Sequence, residues 1–544
     1  MAAPSPLEFW NSLPEGPRRL LARGSTGREH LAAIAAALLG AASGQAEGAR
    51  ARLALFAQQA LAEAWASSPL SLDIAMLLPG VPAPMPAGAS ALLKHLPGFW
   101  RAPQEGDDWR CNGDWERCRA GLLARMRREP GNLAWRALAW NQAWQRADKE
   151  LSWRAVAPEG WPRALAPVRA QAVALYHLAR GEAPEALSAL DAAQAAFPGC
   201  GAGLRAECLL RLGRVDEALS VLTQAWAHSP WRTGELLRAS DLAGGVADAV
   251  APVPGGAAIL LYTWNKAGEL DETLASLAAS DLEAHAPGAR IWVLDNGSTD
   301  ATPEVLARWG GTLGDRFSTF RLPVNIGAPA ARNWLFSLPE VRAREFLVFL
   351  DDDVWLPADW LGRLGAAALR HPDASVWGCR VVDEANPLVM QSVDYVPHAP
   401  RPQRALALPT MHLGQPDFGQ FRYLRPCVSV TGCCHMLRGS LVDATGGFDI
   451  RFSPSQFDDL ERDLRVFLGG GHAVYQGHLA VRHKRRSGAA AETTASGMGS
   501  AMGNMIKLEA KHGEEAFAAI SARGEALLVG DMDGRFRTFA AQLP

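Results

Sequence analysis

No charge excess of either sign marks this chain. Its 54 Lys and Arg stand against 57 Asp and Glu, a formal net charge of −3. That balance argues against a general nucleic-acid binder, which carries a basic excess, and leaves room only for a local basic site. Long apolar runs are missing too. The longest, around Leu31 to Ala42, is rich in Ala and falls short of the roughly 20 residues a membrane span needs. It reads as a buried helix. Met1 to Trp10 shows no basic segment leading into an apolar run, so no secretory signal is read there. Cysteine is sparse, with 8 residues and no CxxC pair. Reduced thiols and a soluble, cytoplasmic protein without a transmembrane segment are therefore expected, with peripheral membrane contact left open. Cys433, Cys434 and His435 are adjacent, but neighbouring side chains on a strand point to opposite faces, which argues against a local metal site.

What is present divides into two grammars. Residues 1–250 read as all helix: Ala, Leu, Arg and Glu recur at helical spacing, punctuated by Gly and Pro. Two segments repeat one another. One runs from Leu178 through Gly181, Glu185-Ala186-Leu187 and on to Phe197-Pro198. The other runs from Leu210 through Gly213, Glu217-Ala218-Leu219 and on to Ser229-Pro230, with both the Gly and the Pro displaced by 32 residues. This resembles the tetratricopeptide repeat, whose period is about 34. The resemblance is clearest over 165–232. Upstream, Trp135, Trp140, Trp144 and Trp153 read as the core of a divergent unit, with an earlier unit ending near Pro130. Two repeats bury little alone, so the upstream helices are expected to stack on them. Such a surface suits a partner or an acceptor. A helical support that only packs on the other half fits the same pattern.

After a stretch rich in Gly, Ala, Pro and Val at 242–256, read as a linker, the period changes. Ala257 to Tyr262, Ile291 to Leu294 and Phe346 to Leu350 are short apolar runs separated by a helical pattern at Leu270 to Ala279. Alternating strands and helices predict an α/β sheet with parallel pairing. Ligands in such sheets bind beyond the carboxyl ends of the strands. Polar residues stand there: Thr263-Trp264-Asn265 after the first strand, Asp295-Asn296-Gly297-Ser298-Thr299-Asp300 after the second, and Asp351-Asp352-Asp353 after the third. Three carboxylates crowded at the end of a buried strand repel one another without a cation. A hard divalent ion, Mg²⁺ or Mn²⁺, fits oxygen ligands of this kind. An acidic turn capping a helix near Pro357 is the plainer alternative.

Asp295 to Asp300, then Asn325-Ile326-Gly327-Ala328-Pro329-Ala330-Ala331-Arg332-Asn333, then the acid triplet, follow in one order. Here the chain resembles family 2 glycosyltransferases of the GT-A fold over residues 256–490, with 491–544 as a C-terminal lid or helical extension. The resemblance implies a Rossmann-like nucleotide-sugar domain behind the all-α repeats. It implies an inverting, metal-dependent enzyme that moves a sugar from a nucleotide-diphosphate donor, a UDP- or dTDP-sugar, to a hydroxyl of a glycan or protein. Thr263 and Asn265 would line the nucleotide pocket and Asp295 would accept from the base. Arg332 would reach the base or diphosphate. Asp351 would touch the ribose or share the metal, Asp352 would stand with the donor-binding residues, and Asp353 would ligate the metal. Asp295, Asp300 and Arg332 also admit structural readings as caps or a surface ion pair.

Further on, Gly446-Gly447-Phe448-Asp449 precedes Phe457-Asp458-Asp459. The resemblance implies a general base in this acidic pair, which takes the acceptor's proton. The family more often has Glu-Asp with a spacer about one residue shorter, so Asp459 is the expected base and Asp458 the alternative. Glu461 and Asp463 are read as structural or acceptor-contacting. His483 would ligate the metal or contact the diphosphate, and the basic turn Lys484-Arg485-Arg486-Ser487-Gly488 suits phosphate. Residues 488–505, rich in Gly, Ala, Ser and Met, read as either a lid or a connector. Residues 380–430, with Asp394, Tyr395 and His398, are expected at the acceptor pocket. Two other readings fit: a partner-binding protein with an inactive GT-A half, and a nucleotidyltransferase. The acid triplet and pair speak against the first. The absence of a Gly-rich phosphate loop at Thr263 to Lys266 speaks against the second.

Overall fold

The computed structural model describes residues 5–24, 27–104, 114–402, 404–408, 412, 415–484 and 495–541. The chain forms two compact units: one of Met1–Ala243, Gln415–Gln420 and Met532–Pro544, the other of Gly244–Gly414 and Phe421–Asp531. Among the described residues no helix is long and apolar enough to cross a membrane.

The first unit is helical. Leu31, Ile34, Ala35 and Leu38 line the buried face of helix Arg28–Ala42, so the longest apolar run is core. The two similar segments are helix pairs: Ala166–Ala179 with Ala183–Ala193, and Ala202–Arg211 with Val215–His228. Gly181 (φ 79°) and Gly213 (φ 73°) take the left-handed conformation that closes each first helix, which costs glycine nothing. Ala186 and Ala218 are fully buried, because the second helix can approach its partner only where its side chain is small. Trp135 is sealed in a cluster with Cys118, Leu122 and Met126. Trp140 and Trp144 stack at 5.8 Å, and Trp153 lies 5.2 Å from Tyr176.

The second unit is built on a ten-stranded mixed sheet. Its strands are β1 (Ala257–Thr263), β2 (Arg290–Asp295), β3 (Phe317–Arg321), β4 (Phe346–Leu350), β5 (Val354–Trp355), β6 (Val376–Asp383), β7 (Met390–Ser392), β8 (Leu424–Cys427), β9 (Cys434–Arg438) and β10 (Ala473–His483). The order is β3-β2-β1-β4-β9-β6-β10-β5, with β7 on β6 and β8 on β10. The first four strands are parallel, and β9 runs antiparallel to both β4 and β6. This is the GT-A architecture. The apolar runs read as strands are buried along their length because helices cover the sheet, as parallel pairing requires. Leu270, Leu274 and Leu277 of helix Ala267–Ala278 and Trp360, Leu361 and Leu364 of helix Trp360–Arg370 share one core with Ile259, Leu261 and Val348.

Register places the chemistry. Thr263 pairs with Asp295 and Leu261 with Leu350, so three strands end at one level and their polar tails share one edge. The stretch read as a linker is tied into this unit: Ala251 N–H donates to Gly362 O at 3.0 Å and Val253 N–H to His285 O at 2.8 Å. Gly365 is required there, because a Cβ would stand 2.2 Å from Ala251 O.

Candidate active site

Beyond β1 and β2 the loops are welded together. Asn265, in the left-handed region at φ 52°, donates its N–H to Ser298 Oγ at 2.9 Å, and its Oδ1 accepts from Thr299 N–H at 2.7 Å. Asp295 is 1% exposed. One of its oxygens accepts from Ser298 N–H at 2.8 Å. The other has no hydrogen-bond donor and lies 3.3 Å from Arg321 Nε, an acceptor whose capacity is unmet. Asn296 bonds Asn325 and the N–H of Ile326, which fixes the Asn-Ile-Gly loop against the Asp-Asn-Gly loop. At Gly297, φ 79°, a Cβ would meet the Val324 carbonyl carbon at 2.6 Å. Asp300 is a cap: it accepts from Ala267 N–H and from Thr302 N–H and Oγ1. Thr263 is fully buried beside them.

The acid triplet is held by two groups from other strand ends. Lys266 Nζ donates to Asp352 Oδ1 at 2.7 Å and to Asp353 Oδ2 at 3.0 Å. His483 Nε2 lies 3.0 Å from Asp353 Oδ1 and 3.6 Å from Asp351 Oδ2. Its other nitrogen, Nδ1, faces Gln391 Oε1 at 2.8 Å. Gln391 is oriented by donating its amide to His483 O and Asp383. Gln391 Oε1 therefore accepts from His483 Nδ1–H, and Nε2 is turned toward the acids, the orientation of a histidine that could serve a cation. Burial would raise Asp353, but the hydrogen bonds and charges of His483 and Lys266 outweigh it and hold the carboxyl well below its usual range. Burial pushes Asp352 up, against the pull of Lys266. Burial would lower His483, and Asp353 and Asp351 overcome it and raise it.

Leu350 pairs with Cys434 across β4 and β9, and Asp351 N–H donates to Cys433 O at 3.1 Å. The ladder therefore sets Cys433 opposite Asp351. A carboxylate oxygen of Asp351, Cys433 Sγ and a ring nitrogen of His483 all lie within 4.8 Å of one another. Asp351 is a quarter exposed and Cys433 is buried. Burial, with the Asp351 charge adding to it, keeps the thiol protonated. An oxygen, a nitrogen and a sulfur converging on one point fit a divalent cation, and one face is open to a ligand. Cys433, Cys434 and His435 do not converge. Cys434 turns to Cys379, and His435 Nε2 lies 3.1 Å from Asp463.

Opposite stands helix Asp458–Leu468, whose two leading acids face different surroundings. Asp458 is buried and ion-paired with Arg332. Asp459 is half-buried; its Oδ2 accepts from Gly432 N–H at 2.6 Å and its Oδ1 from Leu460 N–H at 2.8 Å. Arg332, on helix Ala328–Phe336, lies against the rings of Tyr262, Phe349 and Phe448 at 5.2–5.9 Å, and its Nη2 is 3.6 Å from Asp351. Its guanidinium thus ties the triplet to the acidic pair instead of projecting into an open pocket. Five carboxylates, Asp351, Asp352, Asp353, Asp458 and Asp459, share this region with two permanent cations, Lys266 and Arg332. The remaining negative charge is what a divalent ion would balance.

Glu461 and Asp463 point elsewhere. Glu461 bonds Arg465 and Lys511, and Asp463 accepts from Ser429 Oγ and Val430 N–H. Asn504 donates to the carbonyls of Phe452, Ser455 and Gln456, anchoring the loop before Asp458. Ala495–Ala540 is helical on both sides of a break at Gly513, where φ is 73°. Residues 488–494, the first part of the stretch read as a lid or connector, and Arg485 to Gly488 of the basic turn lie outside the described residues. Lys484 pairs with Glu272. Asp394 accepts from Tyr423 Oη at 2.7 Å, Tyr395 is half-buried and edge-on to His412, and His398 makes a backbone bridge to Ala407. Sequence reasoning had not placed Lys266, Gln391, Gly432 or Cys433 at the site. Lys266 could have been found, since it closes the first strand-end segment. The other three depend on long-range strand pairing.

Residues 258–444 match the family model for glycosyl transferase family 2. The chain is 26% identical over 205 residues to the O-antigen biosynthesis protein RfbC of Myxococcus xanthus, covering 36% of this chain and 15% of that protein's length. Among solved structures, S. aureus TarS is similar at 18% identity, covering 49% of this chain and 42% of that one, with a TM-score of 0.34. The mannosyltransferase PcManGT of Pyrobaculum calidifontis, in complex with GDP-Man and Mn²⁺, is similar at 16% identity, covering 57% of this chain and 98% of that one, with a TM-score of 0.32. GalNAc-T7 with UDP, GalNAc and Mn²⁺ is similar at 14% identity, covering 53% and 55%, with a TM-score of 0.37.

Proposed function

We propose that the second unit is an inverting, metal-dependent glycosyltransferase that moves a hexose-type sugar from a nucleotide-diphosphate donor, a UDP- or dTDP-sugar, to a hydroxyl of a glycan or protein. The observation that carries this is the meeting of two acid groups at one sheet edge: the triplet, with Lys266 and His483 around it, and the half-buried Asp459, bridged to it through Arg332 and Asp458. The match of residues 258–444 to a glycosyltransferase family supports it.

In this reading the unmet oxygen of Asp295 accepts from the N–H of the base, a carboxylate being an acceptor facing a donor. Thr263 and Asn265 shape the nucleotide pocket. Asp353, Asp351 and His483 hold Mn²⁺ or Mg²⁺, and Asp352 keeps Lys266 in place beside them. The cation, when bound, offsets the charge that develops on the departing nucleoside diphosphate. Asp459 is the general base. Its carboxylate takes the acceptor's proton as the acceptor oxygen attacks the anomeric carbon from the face opposite the leaving group. Gly432 N–H and Leu460 N–H hold one oxygen each and thereby fix the orientation of the carboxylate. Asp458 is committed to Arg332 and positions the turn. The helix pairs at 165–232 are assigned as tetratricopeptide-like repeats that bind the acceptor-bearing glycan or protein.

The test is a donor screen on the full chain with Mn²⁺, reading nucleotide release and ligand-induced thermal shift for uridine, guanosine and thymidine diphosphate sugars. One donor should be turned over, and Asp353→Ala should abolish the metal-dependent part. Turnover that is unchanged by chelation and by Asp353→Ala would overturn the assignment.

A further inference from the structure

The sulfur at the cation site has no role in the chemistry above. Cys433 is 2% exposed and belongs to the hydrophobic core of the sheet, but its sulfur is not confined to apolar neighbours. Its Sγ instead sits with the Asp351 carboxylate and the His483 imidazole inside 4.8 Å. His483 is held with Nε2 directed inward by Gln391. The backbone makes the approach obligatory: Asp351 and Cys433 are cross-strand neighbours joined by a 3.1 Å hydrogen bond, so their side chains share a face. Cys434 takes the other face. Thiolate, imidazole and carboxylate together are a donor set of intermediate softness. Hard Mg²⁺ favours oxygen, while Co²⁺ and Zn²⁺ gain from sulfur and nitrogen.

We propose that Cys433 is a side-chain ligand of the cation site together with Asp351 and His483, so that the centre takes Zn²⁺ or Co²⁺ in preference to Mg²⁺. The inference rests on the cation site proposed above. On binding, the S–H bond breaks, the proton passes to solvent, and the sulfur lone pair forms the bond to the metal. No oxidation state changes.

Co²⁺ reports this directly, because thiolate ligation adds a charge-transfer band in the near ultraviolet to the visible ligand-field bands. The full-length protein, titrated with Co²⁺ in the presence of UDP, should develop that band with saturation at one equivalent. Cys433→Ser should lose the band yet keep visible Co²⁺ absorption, and His483→Gln should weaken both. Calorimetry should show Zn²⁺ affinity falling about tenfold or more in Cys433→Ser, in line with the loss of one ligand, with Mg²⁺ affinity nearly unchanged. Visible bands without charge transfer in the wild type would overturn the role of Cys433 and leave the cation site standing. A charge-transfer band that persists in Cys433→Ser would assign the sulfur to another cysteine, with the same consequence. Absence of any Co²⁺ binding by the wild type would remove the cation site itself.

Discussion

Asp458 and Asp459 are adjacent and chemically identical, and the structure predicts opposite consequences for replacing them with Asn. Asp458 is 3% exposed and its partner Arg332 is 5% exposed. Removing the charge of Asp458 leaves a guanidinium in the interior with aromatic faces and the more distant charges of Asp351 and Asp459 for company. Breaking a buried pair from one side costs about 3–5 kcal/mol. Asn keeps one acceptor for the guanidinium, so about 3 kcal/mol is expected. At about 2–4 °C per kcal/mol for a unit of this size, Asp458→Asn should lower Tm by about 6–12 °C. Asp459 is half-buried, and an amide oxygen can keep one of its two bonds, to Gly432 or to Leu460 N–H, while the amide nitrogen loses the other. Losing one hydrogen bond costs about 1 kcal/mol, so Asp459→Asn should lower Tm by only about 2–4 °C, while removal of a general base lowers kcat by about 10²–10⁴. Differential scanning fluorimetry beside a nucleotide-release assay separates the two. The reasoning is refuted if Asp459→Asn transfers sugar at the wild-type rate, or if Asp458→Asn melts with the wild type and alone loses turnover.

Lys266→Met should destabilise the ligand-free protein, since Asp352 and Asp353 lose the ammonium that neutralises them; a thermal shift of several degrees is expected, partly recovered on adding Mn²⁺ with UDP. At Gly432 a Cβ would lie 3.0 Å from both Cβ and Oδ2 of Asp459, so Gly432→Ala should displace that carboxylate and cut kcat by about tenfold or more, with KM for the donor unchanged. Glu461 is fully buried; burial works against its charge, but His512, Arg465 and Lys511 outweigh it and lower its pKa from 4.5 to about 2. The unfolded chain thus takes up this proton at higher pH than the folded one. The stabilisation is complete above pH 4.5 and drains away as pH falls toward 2, about 3 kcal/mol in all. Glu461→Gln should flatten the stability profile in that window, read as Tm against pH.

What could be read from the sequence was local. Apolar runs such as Phe346–Leu350 and the polar tails behind them are contiguous, so strand, strand end and helical cover follow from period and length alone. The same holds for the turns at Gly181 and Gly213, where one residue type marks one backbone conformation. The register of Asp458 against Asp459 was not local. It depends on Arg332, 126 residues away, and on the amide of Gly432, neither of which leaves a trace at the acidic pair. Cys433 was set aside for a sound reason that answered a different question. Adjacent cysteines on a strand do face opposite sides, and Cys433 finds its partners across the ladder in Asp351 and His483, not beside it.

Acidic clusters at strand ends are commonly taken to signal a cation alone, because like charges must be screened. Here Lys266 spans Asp352 and Asp353, and His483 sits against Asp351 Oδ2 and Asp353 Oδ1. The cluster is therefore kept folded by the protein's own cations, and its existence by itself does not require a metal. What does favour one is the asymmetry of the arrangement. Lys266 satisfies Asp352 and one edge of Asp353, while Asp351, beside His483 and Cys433, keeps a quarter of its side chain exposed. A partly exposed carboxylate there, in the same row of strand ends as the unmet oxygen of Asp295, is what the proposed binding of an anionic donor with its cation would require.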